Sequence, residues 1–510
     1  MPHCLLIILD GYGYSEKNHG NAIRQAKKPY IDYLRENYPT TLLDASGSSV
    51  GLPKGVMGNS EVGHFTIGSG RITLQSLDLI NEAIKKGSFF KDKELNMAIK
   101  HAKKNNSKLH LLGMISDEGV HAHINHLFAL LKLAKKNNIE KVYIHAITDG
   151  RDVPERSADE YIKMIQKETE NLKIGEIATI CGRYYAMDRD KNWKRIKKSY
   201  DLLMKGKGYE EKDPLTAIKN SYKRGIETDY YLDPIILNKN GLIEKKDAVI
   251  FFNFRTDRAA ELTQTLTDKK FKEFKTQKIY PFFVCMGPYS KIAPIAFPAT
   301  IIKNNLGETI SKKGLTQLRI AETEKFAHVT FFFNSQVKEP YKNEKQLLIP
   351  SPKVPSYDQK PQMSAPELTN VLIKELKKQK IPDLIVLNYA NGDLVGHSGD
   401  LKASIECVET VNDCLKKLIP EALKKNYDII LTSDHGNAEQ MFYPNGDPCP
   451  AHTTNPVECT LISEKYKNAK LKKKKGLKDI APTILTLLKI KKPKEMTGES
   501  LIRYTQLLIK

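Results

Sequence analysis

The placement of Asp and His constrains the fold of this chain more tightly than any other feature. Three late segments carry them: Asp393-Leu-Val-Gly-His397, Thr432-Ser433-Asp434-His435-Gly436-Asn437 and Ala451-His452-Thr453-Thr454. Two more polar residues stand near the start: Asp10, at the end of an apolar run, and Ser60, within Met57-Gly58-Asn59-Ser60-Glu61-Val62-Gly63-His64. Carboxylate with imidazole is what a divalent cation site needs, and a Ser beside such a site can be ionised into a nucleophile. If one site draws on both sets, the two ends of the chain belong to one domain and the middle is an insertion. The crossings are expected near 75 and near 300. Residues 1–75 with 300–510 would then form a discontinuous metal-binding domain, and 76–299 an inserted substrate-binding domain.

Alternating apolar runs and helix-like stretches define the fold class. Leu5 to Leu9, Val142 to Ile147, Ile177 to Cys181, Val249 to Phe252, Leu384 to Leu387 and Ile429 to Leu431 read as buried parallel strands. Ile124 to Lys136 and Ala158 to Glu170 read as helices between them. Such alternation predicts an α/β protein with helix-covered sheets. Functional residues then gather at the carboxyl ends of strands. Asp10, Asp149 to Asp152, Arg183, Asn253 to Arg255, Asn388 and Asp434 all follow expected strands.

The chain carries 81 Lys and Arg against 60 Asp and Glu, a net charge of +21. Much of the excess is dispersed Lys, and the densest run, Lys470 to Lys475, has no interleaved aromatics. That pattern reads as a solvated basic surface, with no nucleic-acid partner expected. No apolar stretch approaches the roughly 18 residues that a membrane span requires. Seven Cys without a CxxC pair fit reduced thiols and a cytoplasmic setting. A monomer is expected.

Asp393 and His397 are four apart and share a face if helical. Asp434 and His435 are adjacent, so both can face one ion only where a strand has ended. His452 can complete a site from a later loop. Ser60 sits in a Gly-flanked segment that allows close approach of a phosphate, with a helix N-terminus expected to follow. Ser60 could instead be a simple N-cap. The middle of the chain supplies His121 and five Arg: Arg151, Arg183, Arg189, Arg255 and Arg258. Arg binds phosphate and carboxylate in a bidentate manner, so a small acid carrying both groups is a natural ligand.

The motifs LDGYG, MGNSEVGH, TDGRD, GRYYAMDRD, FNFRTDR, AETEKFAHVTFFFN, SPKVPSYD, NYANGDLVGH, TSDHGNAEQM and AHTTNPV together resemble the cofactor-independent phosphoglycerate mutases. The resemblance runs from about residue 4 to about residue 500. It implies an alkaline-phosphatase-like domain with a mainly parallel sheet and helices on both faces, plus an inserted α/β transferase domain. It implies two divalent ions, Mn²⁺ best suited, with Zn²⁺, Co²⁺ or Mg²⁺ as options. Asp393, His397 and His452 would hold one ion; Asp10, Ser60, Asp434 and His435 the other. Ser60 would be the phosphorylated nucleophile. His121, Arg151, Asp152, Arg183, Arg189, Arg255, Arg258 and Lys325 would hold 2- or 3-phosphoglycerate, with Asp152 and Lys325 taking part in catalysis.

The implied reaction is the interconversion of 3- and 2-phosphoglycerate in glycolysis and gluconeogenesis, without 2,3-bisphosphoglycerate. The chain departs from the family pattern at Glu118 (usually Gly), Ala122 (Ser), Thr256 (Pro or Ser), Tyr12 (Trp) and Asn334 to Gln336, where FNSQ replaces FNGG. None removes an expected ligand, but a carboxylate at Glu118 beside an anion site would repel substrate. No Arg-His-Gly triplet of the cofactor-dependent mutases occurs. The rival readings are a metal-dependent phosphohydrolase of the same superfamily, which would release free phosphate, and a basic polyanion-binding protein.

Overall fold

The computed structural model describes residues 2–298 and 302–503. The chain divides into two compact units, one formed by Met1–Leu74 with Ile301–Lys510 and the other by Gln75–Thr300. The expected return crossing near 300 falls on residues 299–301, outside the described residues. Both units are α/β.

The discontinuous unit is built on an eight-stranded sheet. Its order is Glu344–Ile349, Gln317–Glu322, Leu384–Tyr389, His3–Leu9, Tyr427–Thr432, Val457–Ile462, Thr40–Asp44 and Lys475–Gly476. The first five strands are parallel; Val457–Ile462 runs antiparallel to both of its neighbours. The N-terminal strand is central, and its side chains alternate between two apolar layers. Leu5, Ile7 and Leu9 join one core with the helices Pro29–Asn37, Ala365–Leu376 and Leu401–Lys424. Cys4, Leu6 and Ile8 join the other with Ser60–Ser69, Leu306–Lys312 and Ile480–Leu487. Burial on both faces is why this strand is apolar at every position rather than every second one. Truncating one of these Leu or Ile side chains to Ala costs about 2–5 kcal/mol.

The inserted unit has a seven-stranded sheet in the order Tyr209–Glu210, Ile235–Ile236, Glu176–Gly182, Val142–Thr148, Leu109–Met114, Ala248–Phe251 and Phe282–Cys285. Its five longer strands are parallel and lie in one apolar core.

The six strands read from the sequence are present within a residue or two. The strands missed include two interior parallel ones. Leu109–Met114 contains His110 and Gly113, and Gln317–Glu322 contains Gln317, Arg319 and Glu322, all buried. Polar side chains broke the apolar pattern, and only tertiary packing covers them. Asn388 lies inside its strand, not after it.

No helix among the described residues is long and apolar enough to cross a membrane. All seven Cys are buried and unpaired. In the basic run, Lys472 and Lys475 both pair with Glu499.

Candidate active site and metal centre

Four neighbouring parallel strands deliver their carboxyl ends to one place. His3–Leu9 ends at Asp10, and Tyr427–Thr432 is followed by Asp434 and His435. Leu384–Tyr389 leads into the helix Asn391–Gly396, which carries Asp393. Gln317–Glu322 leads into the short helix Thr323–Ala327, which carries Lys325. Ser60 arrives on the first turn of Ser60–Ser69. The cap of that helix is Asn59, whose side chain accepts the Val62 N–H, so the reading of Ser60 as an N-cap is corrected. This leaves the Ser60 hydroxyl free to face the cluster.

Close backbone approach brings these pieces together. A Cβ on Gly63 would lie 2.8 Å from Asp434 Cβ. One on Gly11, which has φ +70°, would lie 2.6 Å from Asp393 Cα. Only glycine fits either position.

Ser60 Oγ donates to Asp10 Oδ1 at 3.0 Å and lies 2.9 Å from His435 Nε2. Lys325 Nζ donates to Ser60 Oγ at 2.6 Å, to Asp393 Oδ2 at 2.6 Å and to Asp10 Oδ1 at 2.8 Å. All are buried. Burial alone would neutralise these groups, but mutual attraction wins. Burial raises Asp10, yet Lys325 and then His435 hold it well below the usual carboxylate range. Burial lowers His435, yet Asp434, Asp10 and Asp393 push it up to about 10. Lys325 is raised by Asp10 and Asp393 despite the same desolvation.

The side chains present fit divalent ions. Three buried carboxylates, Asp10, Asp393 and Asp434, share this small space, and Asp434 Oδ2 faces imidazole nitrogens, His64 Nδ1 at 3.1 Å and His435 Nε2 at 3.6 Å. His397 and His452 make the stronger case. Their Nδ1 atoms lie 2.6 Å from Pro450 O and 2.9 Å from Gly58 O, which places the Nδ1 proton on each neutral ring. The two Nε2 lone pairs are thereby aimed at each other, 3.1 Å apart, and at Asp393 Oδ1, at 3.3 and 2.9 Å. Facing acceptors require a proton or a cation between them. Among the described residues, two groups have ligand atoms spaced for an ion, Asp393–His435–His452 and Asp10–Asp434–His435. His435 therefore reaches both of the expected ligand sets.

In the inserted unit, the buried Arg183 is the hub. Its Nη1 donates to Asp149 Oδ1 at 2.5 Å and to Asp152 Oδ2 at 2.6 Å, and its Nη2 lies 3.0 Å from His121 Nε2. Burial, and then Arg183, lower His121 to about 4. Arg189 and Arg255 stand half-exposed around Asp257, at 2.9 and 3.4 Å. Arg258 donates to the Met187 carbonyl, and Arg151 is exposed. Not all five Arg stand directly after a strand. Arg189 follows the short helix Arg183–Ala186, and Arg258 lies in the first turn of Thr256–Thr267. Lys325 sits with Ser60 in the discontinuous unit, whereas this Arg set belongs to the inserted unit. Glu118 is exposed.

Sequence reasoning assigned no role to His64, Asn388 or Asp149. His64 Nδ1 lies 2.9 Å from Ser60 O and 3.1 Å from Asp434 Oδ2, while Asn388 Nδ2 joins His64 Nε2 to Asp10 Oδ2 at 3.0 and 2.7 Å. Asp149 Oδ1 accepts the N–H groups of Arg151 and Asp152 as well as Arg183. All three stand inside quoted motifs, and Asp149 and Asn388 also belong to the residues expected to follow strands; for His64 the motif was the only signal.

A serine set among buried carboxylates and imidazoles, at the carboxyl ends of parallel strands, defines an α/β enzyme with a serine-centred site. Residues 80–291 match the family model described as BPG-independent PGAM N-terminus, and 304–445 that of type I phosphodiesterase / nucleotide pyrophosphatase. The 2,3-bisphosphoglycerate-independent phosphoglycerate mutase of Moorella thermoacetica is 49% identical over 506 residues, covering 98% of each chain. That of Clostridium acetobutylicum is 50% identical over 505 residues, again 98% of each. The crystal structure of Leishmania mexicana phosphoglycerate mutase at low cobalt concentration aligns with a TM-score of 0.61 and 29% identity, over 99% of this chain and 98% of that one. The chain belongs to the 2,3-bisphosphoglycerate-independent phosphoglycerate mutases. It is an isomerase that interconverts 3- and 2-phosphoglycerate.

Proposed function

We propose that the two units divide this reaction: the discontinuous unit handles the phosphoryl group and the inserted unit holds the glycerate. The observation that carries the reading is the Ser60 hydroxyl, within 3.0 Å of Asp10, His435 and Lys325 at once. Ser60 Oγ passes its proton along its hydrogen bond to Asp10 Oδ1, to be returned when Ser60 is released, and attacks phosphorus as the bond from phosphorus to the glycerate oxygen breaks. The departing glycerate oxygen takes a proton, for which Asp152 is the acid/base group. The other glycerate hydroxyl then attacks the phosphoserine, giving its proton to the same carboxylate, and Ser60 is regenerated. Lys325 places its positive charge against the oxygens of the transferring group.

Asp393, His397 and His452 would hold one divalent ion, and Asp10, Ser60, Asp434 and His435 a second. Mn²⁺ suits this donor set best, with Zn²⁺, Co²⁺ and Mg²⁺ as the alternatives to test. When bound, such ions supply charge to the phosphoryl oxygens and acidify the Ser60 hydroxyl. His121, Arg151, Arg183, Arg189, Arg255 and Arg258 hold the phosphoglycerate. Retention of glycerate by this set is what separates a mutase from a phosphatase. The working protein is a cytoplasmic monomer in this reading.

The test is turnover of 3-phosphoglycerate without 2,3-bisphosphoglycerate, with free phosphate measured in parallel. Ser60→Ala is expected to lower turnover by at least about 10⁴-fold. Normal turnover in Ser60→Ala, or in protein treated with a stringent chelator, would sink the mechanism.

A further inference from the structure

We infer that Glu439 is a positioning residue that holds the three ligand-bearing loops in register; this rests on the metal reading above. Glu439 is only 2% exposed. Its Oε2 accepts the Gly13 N–H at 3.0 Å and the Asn437 N–H at 2.8 Å. Its Oε1 accepts from Asn455 Nδ2 at 2.9 Å and from the Thr453 hydroxyl. All four donors are neutral, and together they fill both oxygens of one carboxylate.

The origin of these donors gives the residue its role. Gly13 is three residues beyond Asp10. Asn437 is two beyond His435. Thr453 and Asn455 are one and three beyond His452. One side chain therefore ties together the loops that present Asp10, Asp434 with His435, and His452. The backbone is shaped to admit it. A Cβ on Gly13 would lie 2.3 Å from Glu439 Cδ, and one on Gly436 would lie 2.3 Å from Glu439 Oε1. Both positions are glycine where the carboxylate passes. Groups behind a metal's ligands set their orientation, and losing one weakens metal binding about 10–100-fold.

Glutamine keeps the size of Glu439 but replaces one acceptor oxygen with an NH₂ group that would face donors. Glu439→Gln thus disrupts up to two of the four bonds without opening a cavity. The experiment is calorimetric titration of Mn²⁺ into the metal-stripped full-length protein. Mn²⁺ affinity is expected to fall about 10–100-fold in Glu439→Gln, with wild-type far-ultraviolet circular dichroism and with turnover recovering at raised Mn²⁺. Thr453→Val removes one hydroxyl at nearly constant shape. It should lower Mn²⁺ affinity by a smaller factor, and Thr453→Ser should restore it. A merely structural role would lower the melting temperature of these variants and leave Mn²⁺ affinity unchanged, which would overturn the proposal. Wild-type protein that binds no Mn²⁺ would overturn the metal reading and the proposal together. Wild-type binding matched by Glu439→Gln would overturn the proposal alone.

Discussion

The Lys325 ammonium lies 2.6 Å from the Ser60 hydroxyl oxygen, although 265 positions separate them in the chain. The same ammonium also meets Asp10 and Asp393. It is thus both a partner of the Ser60 hydroxyl and a counter-charge for buried carboxylates. Lys325→Met should lower kcat about 10²–10³-fold, the usual cost of removing one donor aimed at developing charge. Coupled-assay kinetics check this. Stripped of metal, the variant should also lose about 3–5 kcal/mol, because buried carboxylates lose their partner. Mn²⁺ should restore part of that loss in denaturant unfolding.

Glu322 offers a pH test away from the ligands. Burial raises its carboxyl from 4.5 to about 7, although Ser351 donates to it. The native state keeps this proton up to about pH 7, whereas the unfolded chain releases it near 4.5. The native state thus binds more protons between those values, and this group's contribution to stability falls as pH rises through that window. The change is on the order of 3 kcal/mol and is complete above it. Glu322→Gln should therefore stabilise the protein at pH 8 and have little effect at pH 4. Equal effects at both pH values would refute this, as read by urea midpoints.

At the FNSQ departure, Ser335 and Gln336 have φ of +58° and +67°. An L-residue there carries backbone strain of about 1–2 kcal/mol, and the Ser335 hydroxyl is buried without a partner among the described residues. Ser335→Gly should raise stability by about 1 kcal/mol, after allowing for the greater freedom of Gly in the unfolded chain. A lowered melting temperature would contradict this.

Arg183 and Asp149 form a buried pair in the inserted unit, with side chains 2% and 0% exposed. Arg183→Ala strands Asp149 and should cost about 3–5 kcal/mol. It should also raise KM for 3-phosphoglycerate more than it changes the phosphoserine yield from single turnover. An unchanged KM would remove Arg183 from the substrate-binding set.

Asp10 and Asp434 were legible because each ends an apolar run, and in parallel sheets that is where functional groups collect. The pairing of His397 with Asp393 followed from their spacing on a helix. Glu439 was not legible, because its partner Gly13 lies 426 positions away. The strand carrying Arg319 was missed for a related reason. Its polar side chains are covered by groups brought in from elsewhere, such as Glu344, 3.8 Å from Arg319.

The sequence by itself determined the family, the α/β class and the inventory of Asp, His, Ser and Arg side chains, because these follow from local pattern and motif. Tertiary structure alone decided that Asn59, not Ser60, caps the helix that carries Ser60. It also decided that His435 reaches both candidate ligand groups, and that Lys325 meets Ser60. These are matters of a few ångströms between residues far apart in the chain. Strand order and glycine-permitted backbone approach set such distances, and residue spacing along the chain does not encode them.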